Sequence, residues 1–393
     1  MHRGRPRDDP GRAAAAGAAR AHPYLARAPR RADAGPALVR SRRRGRGHAR
    51  GRDRGGARAG RVRADDTWPG PPAPPSAAGG NGGRSRSPHP GRPVAHASRF
   101  VSARRPSGVL APVTTPFDSA TGDVAPLHLK RNVATLLAAG LDGIVVSGST
   151  GEAAALDADE QRLLIGTVRE QLPDRTWLVA GAGGESTRQA VALSKAAALE
   201  GADAVLVRPP AYFAAATTPA TLVDHYRALA DASPVPVLIY NIPKYTHLPL
   251  AAGLLRQLAD HENIVGVKDS SGDAKNLAAY RDAVPEWSVL VGSGSLLYAA
   301  LEMGCEGGIL AVACFAAALC AEVYTAFHCG NRERAGALQQ RLAPLDREIV
   351  GKFGPAGVKA AMDAVGLYGG PCRPPLAPVS LAERERLGRL LAA

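Results

Sequence analysis

The chain has 393 residues and a formal net charge of +14 at pH 7, but the charge is distributed very unevenly. Residues 1–105 contain 25 arginines, no lysine and 6 acidic residues, a net charge of +19, which leaves −5 for the 288 residues that follow. The longest strongly apolar stretch, residues 309–321, is shorter than the roughly 20 residues that a membrane helix needs, and the five cysteines include no Cys-x-x-Cys pair. Composition therefore argues against a membrane-spanning protein and against a zinc site, and we expect buried free thiols in a reducing, cytoplasmic compartment.

The first segment of the chain, residues 1–105, is dominated by Arg, Ala, Gly and Pro. Because it has few large apolar residues to bury, it cannot offset the conformational entropy lost on ordering, and we predict that it is a disordered leader. Its arginine clusters allow a nucleic-acid-binding arm, and its shortage of acidic residues allows a transit peptide. A bias to arginine without lysine is more typical of a GC-rich reading frame, or of a start site placed too far upstream, so we expect no nucleic-acid partner.

Eight short, β-rich apolar runs follow the leader, and they alternate with amphipathic stretches. This alternation is typical of a parallel sheet covered by helices, and eight βα units predict an α/β fold of the (β/α)8 TIM barrel type, which needs about 250 residues. We place the barrel domain at residues 106–315. The predicted strands are residues 109–114, 143–147, 177–182, 204–208, 235–241, 264–269, 288–293 and 308–313, and the predicted helices include residues 158–171, 187–200, 219–232 and 250–260.

The last segment, residues 316–393, is more than a barrel needs. Helical periodicity recurs in it at residues 316–329, 332–349, 357–365 and 381–391. It predicts a helical C-terminal extension packed on the barrel. Such helices can cover the barrel or build subunit contacts, and the sequence does not choose between these roles.

Active sites of such barrels lie at the carboxyl ends of the strands, so the polar residues that end each run are candidates. The first run ends in Thr114 and Thr115, whose hydroxyls can bond a neighbour or shape the turn. The second run is followed by Ser149 and Thr150 between two glycines, where strand turns into helix. Hydroxyls and backbone N–H groups in such a turn suit a carboxylate, although a simple turn with a helix cap accounts for the same pattern.

Two further candidates end the fifth and sixth runs. Tyr240 reaches the same barrel mouth, where a phenol can shuttle a proton, although a buried tyrosine is more often a core residue. Lys268 ends a run that we expect to be covered on both faces, and desolvation there disfavours the ammonium form. A neutral amine is the state that attacks a ketone, whereas the structural alternative is an ion pair with Asp269.

Four motifs in this order resemble the family of dihydrodipicolinate synthase and N-acetylneuraminate lyase, across essentially all of residues 108–393. The resemblance implies that Lys268 forms a Schiff base with a 2-oxo acid, that Tyr240 moves protons with Ser149, and that no cofactor or metal is needed. It also implies a homo-oligomer, either a dimer or a tetramer. The motifs are Gly148-Ser149-Thr150-Gly151-Glu152, Tyr240-Asn241-Ile242-Pro243, Val267-Lys268-Asp269-Ser270-Ser271-Gly272-Asp273 and Gly307-Gly308-Ile309.

The resemblance also assigns substrate-binding positions. Ser149 and Thr150 would hold the substrate carboxylate, and the main chain of Ile309 would border the bound 2-oxo acid. Family members that condense pyruvate with aspartate semialdehyde usually carry an arginine where this chain has Tyr245, and a phenol cannot replace a bidentate guanidinium. Lys244 or His247 are the residues nearby that would compensate.

A second departure concerns the proton relay. The family tends to place two tyrosines after the fourth strand, the second of which reaches a neighbouring subunit. Here the run is Pro209-Pro210-Ala211-Tyr212-Phe213, so we expect Phe213 to lack that hydroxyl. Either water or Tyr212 substitutes, or proton transfer depends on Ser149 and Tyr240 alone.

Several functions remain open on the sequence. The preferred interpretation is a class I lyase that cleaves a 4-hydroxy-2-oxo acid to pyruvate and an aldehyde, for example 4-hydroxy-2-oxoglutarate to pyruvate and glyoxylate. The C-terminal segment from Phe353–Lys359 through Tyr368–Leu376 resembles 4-hydroxy-2-oxoglutarate aldolases, although packing alone would explain its turn of Gly-Gly-Pro followed by Pro-Pro. The alternatives are 4-hydroxy-tetrahydrodipicolinate synthase, a sugar-acid dehydratase or aldolase, and a non-catalytic 2-oxo-acid sensor with a basic arm.

Overall fold

The strands form a closed parallel barrel in the computed structural model, which describes residues 105–392. The first strand, β1 (Gly108–Pro112), pairs with both the second and the last strand, because Leu110 is in register with Gly143 on one side and Ile309 on the other. The predicted (β/α)8 barrel is therefore confirmed, whereas the predicted leader lies outside the described residues. The other strands are β2 (Gly143–Val146), β3 (Trp177–Gly181), β4 (Ala204–Val207), β5 (Val237–Asn241), β6 (Ile264–Asp269), β7 (Ser288–Val291) and β8 (Gly307–Ile309).

Helices follow the strands and surround the barrel. Several begin where the sequence supplies a cap: Asp157 and Glu160 form a capping box, and Thr218 caps a helix that starts with Pro219. The helices of the barrel are α1 (Pro126–Ala138), α2 (Ala158–Arg169), α3 (Thr187–Leu199), α4 (Pro219–Ala232), α5 (Pro243–Thr246), α6 (Ala252–Arg256), α7 (Ala274–Ala283) and α8 (Leu297–Glu302).

Each strand is buried on both faces, and alternate residues belong to different parts of the core. On β4, Ala204 and Leu206 lie in the barrel interior, whereas Val205 and Val207 pack beneath the helices. This alternation explains why the strands are apolar without a break. It also fixes which residues beyond each strand face the mouth of the barrel.

Four helices after the barrel confirm the C-terminal helical extension; the domain boundary at residue 316 stays a prediction. They are α9 (Ala317–His328), α10 (Arg332–Leu345), α11 (Lys352–Ala364) and α12 (Leu381–Ala392). Within residues 105–392, none of these or the other helices has the length and apolar character to cross a bilayer.

Three predicted elements needed correction. The eighth strand ends at Ile309 and not at residue 313, because the apolar run continues as a 3-10 turn (Ala311–Cys314) that is equally buried. The predicted helix 332–349 ends at Leu345 and continues as a π-helix (Asp346–Gly351). The predicted helix 250–260 shortens to α6. Burial alone does not distinguish these local conformations, so an apolar pattern could not have separated them.

Candidate active site

Lys268 lies near the end of β6 and is buried, with 4% of its surface exposed. Parallel pairing sets it beside Tyr240 on β5 and Leu290 on β7. Its side-chain nitrogen, Nζ, is 4.3 Å from the centroid of the Tyr240 ring. The two residues that the sequence singled out as lysine nucleophile and proton carrier are therefore neighbours at the barrel mouth.

The structural alternative for Lys268, an ion pair with Asp269, does not match the bonds of that carboxylate. Asp269 Oδ1 accepts hydrogen bonds from Asn241 Nδ2 at 2.7 Å and from the Ser271 N–H at 3.2 Å, and Oδ2 accepts one from Ser271 Oγ at 2.7 Å. Successive strand residues point to opposite faces, so Asp269 points away from the interior face that carries Lys268. The aspartate holds the end of the strand in place.

The turn after β2 brings two hydroxyls to the same cavity. Ser147 and Glu152 adopt left-handed backbone conformations on either side of Ser149 and Thr150. Close packing beneath the turn requires Gly181, because a Cβ there would lie 1.9 Å from the Ser147 carbonyl oxygen. These constraints hold Ser149 and Thr150 in the wall of the Lys268 cavity.

Thr115 supports this turn from below. Its hydroxyl donates a 2.6 Å hydrogen bond to the carbonyl of Gly151. Neighbouring Thr114 donates instead to Met362 Sδ at 3.3 Å. The observed role of Thr115 is thus to anchor the turn, and a direct contact with substrate stays a prediction.

Two adjoining cavities occupy the mouth of the barrel. The smaller, of about 170 Å³, contains Lys268, and the larger, of about 650 Å³, extends beyond it. Ser149, Tyr240 and Tyr245 line both. Five of the seven predicted site residues therefore line this space: Lys268, Tyr240, Ser149, Thr150 and Tyr245.

Ile309 and Tyr245 have different surroundings. Ile309 is fully buried in the barrel interior, and the residue after β8 that lines the smaller cavity is Ala311. Tyr245 is about half exposed at the rim; burial, and then the neighbouring Tyr240 phenol, raise its pKa above the usual range. Lys244 also lines the smaller cavity, where its ammonium donates a 3.0 Å hydrogen bond to the Gly351 carbonyl.

The C-terminal extension contributes a wall that the sequence did not predict. Asp346, at the start of the π-helix, is 5% exposed and lines the smaller cavity. Its Oδ2 accepts hydrogen bonds from Ser293 Oγ and from the Ser295 N–H, both at 2.9 Å. π-Helical turns are rare and occur frequently at functional sites. The only hint in the sequence was Pro344 near the end of a long helical pattern.

A buried charge network links the same extension to the Ser149 turn. Lys359 and Glu152 are almost fully buried and pair at 2.5 Å, and Lys359 also donates to the Pro371 carbonyl at 2.6 Å. Burial lowers the pKa of Lys359, although Glu152 opposes this effect. The backbone N–H of Arg373 donates a 2.9 Å hydrogen bond to Glu152 Oε2. The turn that holds the candidate carboxylate-binding hydroxyls thus depends on residues more than two hundred positions away.

None of the five cysteines lines either cavity. Cys305, Cys314 and Cys320 are buried, and burial raises the pKa of Cys305 and of Cys314 to about 12. Cys329 is exposed, so the expectation that all five thiols are buried was wrong. Among residues 105–392, no cluster of three or more His, Cys, Asp or Glu side chains could hold a metal ion.

A buried lysine beside a tyrosine, at the carboxyl ends of parallel barrel strands, defines a (β/α)8-barrel protein with the groups for imine chemistry. Residues 105–393 match the model of the dihydrodipicolinate synthetase family. The chain belongs to this family of carbon–carbon lyases.

Individual relatives agree with this assignment. The chain is 38% identical over 290 residues to an uncharacterized DapA-like lyase of Halobacterium salinarum, a match that covers 72% of this chain and 93% of the relative. It is 35% identical over 289 residues to the 4-hydroxy-tetrahydrodipicolinate synthase of Methanoculleus marisnigri, which covers 72% of this chain and 98% of that protein.

Solved structures show the same architecture. YagE, a prophage protein of the dihydrodipicolinic acid synthase family from E. coli K12 solved with pyruvate, superposes with a TM-score of 0.69 at 28% identity, covering 73% of this chain and 97% of YagE. The 4-hydroxy-tetrahydrodipicolinate synthase of Methylacidiphilum fumariolicum SolV gives a TM-score of 0.70 at 29% identity, covering 73% of this chain and 95% of that enzyme.

Proposed function

We propose that this protein cleaves 4-hydroxy-2-oxo acids to pyruvate and an aldehyde through a Schiff base on Lys268, with 4-hydroxy-2-oxoglutarate giving pyruvate and glyoxylate. The observation that carries the proposal is the buried Lys268 amine, which lines a small cavity with Tyr240 4.3 Å away. A desolvated amine beside a phenol supplies both the nucleophile and the proton carrier that imine formation needs.

The steps follow from this arrangement. The Lys268 amine adds to the C2 carbonyl, water leaves, and a protonated imine forms; Tyr240 exchanges the protons with Ser149, whose hydroxyl lines the same cavity. A base takes the proton of the C4 hydroxyl, the C3–C4 bond breaks, and its electron pair moves into the enamine while the aldehyde leaves. Protonation of C3 and hydrolysis of the imine then release pyruvate and restore the amine.

Ser149 and Thr150 would hold the carboxylate of the 2-oxo acid. Both line the smaller cavity with Lys268, in a turn with glycines on both sides. Hydroxyl and backbone donors held in advance stabilise the carboxylate without the cost of reorganisation during reaction. The sensor alternative is disfavoured because a binding site for a 2-oxo acid does not need a buried amine beside a phenol.

A second candidate is 4-hydroxy-tetrahydrodipicolinate synthase, which condenses pyruvate with aspartate semialdehyde. It is favoured by the relatives named for that activity, which are 33–35% identical to this chain. The synthase function is disfavoured by Tyr245, because the resemblance of this chain to the family leads us to expect an arginine at that position.

We also infer a cytoplasmic homo-oligomer. Tyr212 and Phe213 follow β4 and are 81% and 71% exposed, with their rings 4.9 Å apart in an edge-to-face contact. Exposed adjacent aromatic rings are typical of protein interfaces. A second copy of the chain would cover them.

The test is a direct assay of pyruvate release. Purified protein is expected to release pyruvate from 4-hydroxy-2-oxoglutarate, and Tyr240→Phe should lower kcat by about 100-fold or more, the usual effect of removing an acid–base group. A parallel assay measures condensation of pyruvate with aspartate semialdehyde. Efficient condensation together with no pyruvate release would replace the lyase proposal with the synthase.

A further inference from the structure

The larger cavity adjoins the smaller one, so a substrate held at Lys268 can extend into it. It shares Ser149 and Tyr240 with the smaller cavity and lies beyond them at the mouth of the barrel. The part of a 2-oxo acid beyond C3 would therefore enter it. The charged residues that line the larger cavity therefore decide which distal groups of the substrate can bind there.

Arg208 reaches this cavity from the end of β4. Ala204 and Leu206 face the barrel interior, so the alternation along the strand directs Arg208, two residues later, to the mouth. Its side chain lies across Gly183, where an added Cβ would be 2.5 Å from the arginine Cγ. A glycine at this position thus leaves room for the arginine over the strand ends.

The guanidinium group is held in place but retains free donors. Nη2 donates to Glu185 Oε1 at 2.7 Å, and Nη1 donates to the Pro209 carbonyl at 3.0 Å. Glu185 Oε2 accepts the N–H groups of Ala211 and Tyr212 at 2.8 and 2.9 Å. Arginine carries five N–H donors, so three remain for a ligand.

The other charged groups of the larger cavity are already engaged. Arg373 forms a fork with Glu160, with two 2.6 Å hydrogen bonds, and also donates to the carbonyls of Ala155 and Gly122. Glu152 is paired with Lys359. Arg208 is therefore the cationic lining residue with the most unused donors among the residues that the structure describes in this wall.

We propose that Arg208 binds the distal carboxylate of a dicarboxylic 2-oxo acid, so that the lyase prefers substrates with a carboxylate two carbons beyond C3. The inference rests on the proposed function and specifies its substrate class. Arginine suits this role because its planar fork pairs with both oxygens of a carboxylate. Glu185 fixes the orientation of the fork, which lowers the entropy lost when the substrate binds.

The experiment uses imine trapping, which needs no cleavage. The full chain is titrated with 2-oxoglutarate, or with 2-oxopentanoate, which has the same chain length but an apolar end; borohydride then traps the imine, and mass spectrometry gives the half-saturating concentration. Arg208→Gln should raise the half-saturating concentration of 2-oxoglutarate about tenfold more than it raises that of 2-oxopentanoate. Arg227→Gln is the control, because that arginine pairs with Asp260 on the outer surface.

Each outcome has a distinct meaning. Equal effects of Arg208→Gln on both acids, or no effect on either, would overturn the carboxylate subsite. If Lys244→Gln selectively weakens the binding of 2-oxoglutarate and Arg208→Gln does not, Lys244 and not Arg208 binds the distal carboxylate, which would overturn the proposal. If neither acid nor pyruvate gives an adduct, the proposed function fails first. Arg208→Lys keeps the charge but not the planar fork. If it binds 2-oxoglutarate better than Arg208→Gln does but more weakly than the unmodified protein, that result would support the subsite.

Discussion

Tyr245 is the residue at which the two candidate reactions differ most. It lies at the rim shared by the two cavities, where its phenol cannot supply the bidentate grip of a guanidinium. In the adduct of pyruvate with aspartate semialdehyde, the second carboxylate lies two carbons farther along the chain than in 4-hydroxy-2-oxoglutarate. A group that binds one carboxylate, such as Arg208, is therefore poorly placed for the other.

This difference gives a prediction for one substitution. Condensation with aspartate semialdehyde should be at least about 100-fold less efficient than cleavage of the preferred 4-hydroxy-2-oxo acid, equivalent to roughly 3 kcal/mol of positioning energy. Tyr245→Arg should reduce the difference between the kcat/KM of cleavage and the kcat/KM of condensation. Tyr245→Phe is the matched control and should leave this difference nearly unchanged. Efficient condensation by the unmodified protein would show that another residue supplies the contact.

At the level of elements, the turn after β2 and the C-terminal extension form one unit. Lys359 on α11 pairs with Glu152, and both side chains are almost fully buried. Removing one member of a buried pair leaves the other charge uncompensated, which is strongly destabilising, whereas removing both is far less so.

The buried pair can therefore be tested with a double-mutant cycle. Lys359→Met should lower the free energy of unfolding by about 3 kcal/mol, and Glu152→Gln should recover part of that loss when added to it. Urea unfolding of the four proteins gives the coupling free energy. Additive losses would mean that the two charges do not stabilise each other. Because the turn carries Ser149 and Thr150, Lys359→Met should also raise KM for the 2-oxo acid.

The pair of Glu160 and Arg373 attaches the segment between α11 and α12 to α2, and it makes the stability of the protein depend on pH. Arg373 holds the pKa of Glu160 below its usual range, mainly by hydrogen bonding and against an opposing effect of burial. Folding therefore favours the ionised carboxylate. Its contribution is complete above the ordinary glutamate pKa of about 4.3 and is lost as the pH falls through the lowered value.

Glu160→Gln should accordingly destabilise the protein by about 1 kcal/mol near pH 7, with a difference that shrinks below about pH 4. Urea unfolding of both proteins from pH 3 to pH 7 measures this. Glu322→Gln, which removes an exposed single contact with Arg334, is the control. A constant difference across the whole range would contradict the link to ionisation of Glu160.

For the whole molecule, the sequence predicts that catalysis resides in residues after the leader. Deleting residues 1–105, which carry the net +19 charge, should leave kcat, KM and the melting temperature unchanged, because the composition of this segment offers little apolar surface for packing. Activity assays and thermal unfolding of the two proteins test this. Loss of folding or of catalysis in the shortened protein would refute it, and loss of salt-sensitive DNA binding would favour the nucleic-acid arm.

The sequence predicted those features that depend on local pattern. Lys268 and Tyr240 near strand ends, and Ser149 in the turn after β2, were identifiable because a polar residue that ends or follows an apolar run lies at the mouth of a barrel. Asp346, Lys359 and Arg373 were not, because their roles arise from tertiary contacts with residues distant in sequence, and each also fits an ordinary helix or turn. Arg208 was counted as the end of a predicted strand, and its orientation became informative only once the inward positions of β4 were known.

The central claim is that Lys268 forms the imine. Incubation with pyruvate and borohydride, followed by peptide mass spectrometry, should give a stable adduct on Lys268 and none on Lys195, Lys244 or Lys275. Lys268→Arg keeps the charge but cannot form a productive imine, so that variant should fold, give no adduct and lose turnover. An adduct on another lysine, or near-normal turnover of Lys268→Arg, would contradict the account.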